Sequence, residues 1–140
     1  LEGALYKPNM ITPGHDSPEY AKCAPEDIAR ATLTVLSRTT PAAMPGIVFL
    51  SGGQDEEEAS VNLSAINSEE GWVRPWNLSF SYGRALQHSC IMAWKGKSEN
   101  VEAAQAELLK RMEANGMANL GKYVGTGEKK PSLYEKGYVY

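Results

Sequence analysis

Three times along this chain a short apolar run gives way to a turn or loop and then to an amphipathic helical pattern. That alternation constrains the fold more than any other feature. The first run, "LEGALYK", alternates as a strand does, with Leu1, Gly3, Leu5 and Lys7 on one face and Glu2, Ala4 and Tyr6 on the other. Pro8 ends its ladder, and a loop rich in Pro, Gly, Asp and Ser leads on to Pro25. Glu26 and Asp27 suit the first turn of a helix, and Ile28, Ala31, Thr32, Val35 and Leu36 follow at helical spacing. The second unit joins "PGIVFLSGG", a branched apolar strand suited to burial on both faces, to "DEEEASVNLSAIN", a helix with an acidic first turn. The third joins a strand over Leu78 to Tyr82 to "RALQHSCIMAWKG", where Leu86, Cys90 and Trp94 share a stripe and Gly96 is placed to end the helix. A further helix is expected over Glu99 to Asn115, with Val101, Ala104, Gln105, Leu108 and Met112 facing inward. The glycine- and lysine-rich stretch after it reads as a mobile tail.

Repeated strand and helix units predict an α/β fold, a parallel sheet with right-handed crossovers and helices outside it. Sites on such sheets gather at the carboxyl ends of the strands. Here those ends carry Lys7, then Ser51-Gly52-Gly53, then Ser81-Tyr82-Gly83-Arg84. The first offers an amine. The second offers peptide N–H groups that glycines leave open to a ligand, although a serine and two glycines after a strand also make an ordinary tight turn. The third sets a guanidinium at a helix start, where a cation opposes the helix dipole unless an anion lies nearby.

Lys7 has two readings: an ammonium extended into water at a strand end, or a nucleophile. A lysine partly removed from water loses the stability of its charged form, and the neutral amine attacks carbonyls to form imines. With an anion cradle on the adjoining strand ends, the second reading points to a phosphorylated carbonyl compound. The iminium would then act as an electron sink for making or breaking a neighbouring carbon–carbon bond.

At these residues the sequence resembles the class I, Schiff-base fructose-bisphosphate aldolases. "LEGALYKPNM", "FLSGGQDEEEASVNLSAIN" and "WNLSFSYGRALQ" are similar to family signatures in the family's order, over Leu1 to about Tyr123 and again at the terminal tyrosine. The resemblance implies that Lys7 forms the Schiff base. It also implies that Ser51, Gly52, Gly53, Ser81 and Arg84 bind a substrate phosphate, that Gly83 gives a backbone contact, and that Tyr140 assists proton exchange. It implies strands six to eight of a (β/α)₈ TIM barrel over residues 1–121, a C-terminal helix, and a flexible tail over residues 122–140.

The sequence opens inside a strand pattern with no initiator methionine and no cap, which reads as a chain met in mid-fold. The expected partners are therefore a small sugar phosphate, the remaining N-terminal part of the aldolase subunit, and further copies in a homotetramer. The segment alone is expected to be inactive. A cytoplasmic location and no cofactor go with the same resemblance. The other readings are a binding scaffold for actin or the cytoplasmic tails of membrane proteins, and a small phosphate-binding α/β domain complete in itself.

The bland features set limits. A net charge of −3 and a pI near 5.4 give no general attraction to nucleic acid, so none is expected as a partner. No run approaches the roughly 18 apolar residues that span a bilayer, and no signal peptide opens the chain. Cys23 and Cys90 lie outside any metal spacing and are read as free thiols. His15 and His88 have no partner at ligand spacing, so no metal is assigned, which also sets aside the zinc-dependent aldolases. Asp55, Glu56, Glu57 and Glu58 are read as a solvated, dipole-compensating first turn, and Trp72, Trp76 and Trp94 as packing or interface residues.

Overall fold

The computed structural model describes residues 1–127 and 130–138. Three parallel strands stand in the order β1 (Leu5–Tyr6), β2 (Gly46–Phe49), β3 (Asn77–Phe80). They are connected and followed by α1 (Pro25–Thr39), α2 (Glu56–Ser68), α3 (Arg84–Trp94) and α4 (Val101–Asn119), with short 3₁₀ turns at Tyr20–Lys22 and Ser98–Asn100. The register pairs Leu5 with Gly46 and Tyr6 with Ile47, then Gly46 with Asn77 and Phe49 with Phe80. All three strands therefore run out at one rim, as the alternation predicts.

The first strand is far shorter than the alternation of residues 1–7 suggests. Leu1 to Ala4 close a turn through the Ala4 amide and the Leu1 carbonyl. In this register they would need a partner just before Gly46, and there Met44 turns back on Pro41 instead. Period-two patterning becomes a strand only where a neighbouring edge accepts its hydrogen bonds.

The two sheet faces differ. Ile47, Phe49 and Leu78 pack with Leu33 and Leu36 of α1, Leu63 and Ile66 of α2 and Ala118 of α4 in one core. On the other face, alternation sets Leu5 and Lys7 beside Gly46, Val48 and Leu50, and beside Ser79 and Ser81. Leu5 lies so close across Gly46 that a Cβ there would come within 2.9 Å of its Cδ2. None of Leu5, Lys7, Val48, Leu50, Ser79 and Ser81 is buried, so the burial on both faces expected for β2 is found on one.

Helix starts follow their sequences. The Asp27 carboxylate reaches back to the Ala24 amide at 3.3 Å, ahead of Pro25 at the first position of α1. Asp55 caps α2 by accepting from the amides of Glu57 and Glu58, while Glu58 accepts from the Asp55 amide. At the end of α3, Lys95 and Gly96 take left-handed backbone, the stop that Gly96 suggests.

Two inward stripes differ from expectation. On α1 the core takes Ala29 and Leu33, while Val35 points outward. On α4 the buried residues are Ala104, Arg111, Ala114, Asn115 and Ala118, and the helix runs four residues past Asn115 despite Gly116. Val101 and Met112, expected inside, are 42% and 50% exposed, and share the outer surface with Leu109, Met117 and Leu120. The helix carries an apolar face on each side, so hydrophobic spacing alone cannot say which one this chain covers. Trp76 is a packing residue as expected, its indole N–H donating to the Pro41 carbonyl at 2.9 Å, whereas Trp94 is 46% exposed.

Candidate active site

The rim is built by continuing the strand ladder past the ends of the strands. The Leu50 amide donates to the Pro8 carbonyl, and the Ser81 amide to the Phe49 carbonyl. These bonds bring the segment just after Lys7 beside the Ser51 turn, and that turn beside Ser81. Lys7 itself is exposed at the end of β1. Its side chain touches neither Ser51 nor Arg84 through any hydrogen bond or ion pair; what the strands give it is a place at the same end of the sheet.

The turn after β2 closes through the Gln54 amide and the carbonyl of Ser51, which is itself buried. Gly52 and Gly53 adopt φ of +58° and +88°, backbone that other residues enter only with strain. Space forbids a side chain at Gly53 as well, whereas at Gly52 one would have to displace the end of the Asn9 side chain. A Cβ on Gly52 would sit 2.5 Å from Asn9 Oδ1, and one on Gly53 would sit 2.9 Å from the Cα of Tyr134. Below the turn, the Gln54 amide group accepts from Asn62 at 2.7 Å, which holds the turn to α2.

Gly83 stands exposed at the start of α3, a helix with no side-chain cap and no acid in its first turn. That leaves its positive end uncompensated by any carboxylate of its own, unlike that of α2. Arg84, the first helical residue, donates to the Leu133 carbonyl at 2.5 Å, lies 4.0 Å from the Glu135 carboxylate and sits over the Tyr138 ring.

The tail thus folds back over the rim. Leu133 N and Ser132 Oγ both donate to the Gly53 carbonyl at 3.0 Å. Tyr134 stacks on His15, whose Nε2 is 2.8 Å from the Gly52 carbonyl and whose ring also meets Tyr20. The sequence reading leaves His15 in a polar loop; only the folded loop carries it to the glycine turn, and nothing in its local sequence signals this. Tyr140 lies outside the described residues.

Behind the turn the acidic run is not the solvated cluster expected. Asp55, Glu56 and Glu57 are all buried, and each finds a partner. Glu56 accepts from the amide and hydroxyl of Ser89 on α3 and lies 3.5 Å from the Lys130 ammonium. Glu57 accepts from the Tyr123 hydroxyl at 2.7 Å and from the Thr126 amide, with Arg111 of α4 3.7 Å away. Charges removed from water persist only when paired and hydrogen-bonded in this way.

Burial pushes both carboxyls up, but these hydrogen bonds and the Lys130 and Arg111 charges outweigh it and hold each below the usual carboxylate range. A lowered folded-state value stabilises the fold above the unfolded value of 4.5, and the gain disappears as pH falls through the lowered value. Glu58 runs the other way, because burial raises it, so acid relieves its penalty. The thermal midpoint is accordingly expected to drop less for Glu57→Gln than for the unaltered protein between about pH 5 and about pH 3. Parallel curves would remove Glu57 from the acid response.

Among the described residues no three His, Cys, Asp or Glu side chains converge as metal ligands, and no helix is long and apolar enough to cross a membrane. Cys23 and Cys90 are free thiols.

Comparison with known proteins gives the arrangement its relatives. The family model for glycolytic fructose-bisphosphate aldolase class-I matches residues 1–140. The chain is 58% identical over 144 residues to cytosolic fructose-bisphosphate aldolase 5 of Arabidopsis thaliana, covering all of this chain and 39% of that protein. It is 56% identical to fructose-bisphosphate aldolase C of Gallus gallus over 140 residues, covering 97% of this chain and the whole of that sequence. Among solved structures it matches the fructose-bisphosphate aldolase of Plasmodium falciparum, crystallised in complex with TRAP and a small-molecule inhibitor. The TM-score is 0.82 at 54% identity, covering 88% of this chain and 34% of that one. The chain thus spans about two fifths of the plant relative and a third of the Plasmodium chain. With the signatures at all three strand ends and a match from first residue to last, this chain belongs to the class-I fructose-bisphosphate aldolase family.

Proposed function

We propose that the intact subunit carrying this segment cleaves fructose 1,6-bisphosphate reversibly to dihydroxyacetone phosphate and glyceraldehyde 3-phosphate, through a Schiff base on Lys7. The neutral amine adds to the C2 carbonyl and water leaves, giving an iminium. A base supplied by the rest of the subunit takes the C4 hydroxyl proton as the C3–C4 bond breaks, the C4 oxygen becomes the aldehyde of the departing glyceraldehyde 3-phosphate, and the bonding pair moves toward the iminium nitrogen to leave an enamine. Protonation of the enamine at C3, assisted by Tyr140, and hydrolysis return dihydroxyacetone phosphate and the free lysine.

Ser51, Gly52, Gly53, Ser81 and Arg84 hold a substrate phosphate, and Gly83 supplies a backbone contact. What supports the reading is the parallel register, by which the chain at Lys7 and the turns after β2 and β3 stand at one end of the sheet. In the closed barrel β1 to β3 are strands six to eight, with residues 1–121 as the barrel part and 122–140 as the tail. The part-exposed sheet face and the outward apolar face of α4 support this over a self-contained domain. The segment by itself is inactive, and the intact enzyme works as a cytoplasmic homotetramer.

Borohydride reduction in the presence of dihydroxyacetone phosphate, followed by peptide mass spectrometry of the intact subunit, tests the assignment. The expected adduct is on Lys7. An adduct on another residue, or none, would remove the chemistry.

A second role is protein binding, favoured by the relative solved together with TRAP. A Lys7→Met subunit that no longer turns over substrate should still capture such a partner, or actin, if binding is separate from catalysis.

A further inference from the structure

Glu56 is the first residue of α2, three residues beyond Gly53, and its side chain is 2% exposed. Both of its carboxylate oxygens are used by one residue of the neighbouring helix. The Ser89 amide donates to Oε1 at 2.9 Å, and the Ser89 hydroxyl donates to Oε2. Ser89 lies five residues after Arg84, well under two turns from the start of α3. The carboxylate therefore joins the helix that begins at the glycine turn to the helix that begins at Gly83 and Arg84. A second tie lies alongside it, since the Tyr82 hydroxyl, at the end of β3, donates to the Ala59 carbonyl of α2 at 3.0 Å.

The ionised carboxylate adds to stability, but stability does not require this particular geometry. Removing a charge from water costs several kcal/mol, and well-packed apolar replacements of buried ionic groups are often neutral or stabilising. Directionality is what an apolar side chain would not supply. Two acceptor oxygens engaged by two donors on one partner fix both the slide and the rotation of α3 against α2. Those two coordinates govern the spacing between the turn before α2 and the backbone at the start of α3, where Arg84 stands.

We infer that Glu56 is a positioning residue for phosphate binding: its bridge to Ser89 holds the two halves of the cradle, the turn before α2 and the start of α3, at the spacing one phosphate requires. The inference rests on the aldolase reading of that cradle. A misplacement of about 1 Å is enough to weaken a multidentate anion site substantially. Lys7, on the far strand, is not held by this bridge, so imine formation should be indifferent to it.

The test uses the intact subunit. Glu56→Gln should raise KM for fructose 1,6-bisphosphate and the Ki of inorganic phosphate together, by about tenfold. Borohydride trapping of Lys7 with dihydroxyacetone, which carries no phosphate, should keep its rate. Ser89→Ala, which removes one donor and leaves the carboxylate, should show the same selectivity at about threefold, and it carries the test if Glu56→Gln does not fold. Unchanged phosphate inhibition in a folded variant would overturn the inference. So would equal losses toward phosphorylated and phosphate-free ligands, the mark of a role in folding alone. Failure of the aldolase reading looks different, because the unaltered subunit would then show no trapping at Lys7 at all.

Discussion

Lys7→Met in the intact subunit is expected to lower kcat/KM for fructose 1,6-bisphosphate by at least about 10⁴-fold, the scale seen when a covalent nucleophile is removed. Methionine keeps most of the length of the side chain and loses only the amine. Because Lys7 is exposed and makes no hydrogen bond or ion pair among the described residues, thermal stability should barely change. Neither Lys130 nor Arg84 is suited to replace it. Lys130 has its ammonium occupied 3.5 Å from Glu56. The Arg84 side chain is a delocalised guanidinium, which does not add to a carbonyl as an amine does. Steady-state kinetics with circular dichroism as a folding control decide the matter. A folded Lys7→Met enzyme with a tenth of normal turnover would show that the covalent step resides elsewhere.

The parts of the fold that follow from local physics were legible in the chain. Three strand and helix units, the acidic first turn of α2 and the stop at Gly96 all reflect residues acting within a turn or two of themselves. The shared rim followed from alternation, because repeated crossovers force parallel strands and parallel strands end together. What stayed hidden depends on partners distant in sequence. Leu1 to Ala4 carry a strand pattern with no neighbour to pair with, and α4 carries two apolar faces of which the chain covers one. The acids after Gly53 look solvated until Ser89, Arg111 and Tyr123 are brought up to them from 32 or more residues away. His15 reaches the glycine turn by the same long-range route.

Among those hidden contacts, the pairing of Arg111 with Glu57 should carry the largest effect on stability. Arg111 is 3% exposed, and its Nη1 has no hydrogen-bond partner among the described residues. At 3.7 Å from Glu57 Oε2 the attraction is Coulombic and gains its strength from the low dielectric around it. Arg111→Met would strand a buried carboxylate, and losing one partner of such a pair typically costs 3–5 kcal/mol. Glu57 retains the Tyr123 hydroxyl and the Thr126 amide, so the lower end, about 3 kcal/mol, is expected from urea unfolding. Adding Glu57→Gln to that variant should recover about half of the loss, because the stranded charge is then gone. Acid should narrow the gap between the single variant and the unaltered protein for the same reason, since protonation neutralises Glu57 in both. A loss below about 1 kcal/mol, or a double variant no better than the single, would mean that the two hydrogen bonds alone hold Glu57 and that α4 is tied to α2 by packing.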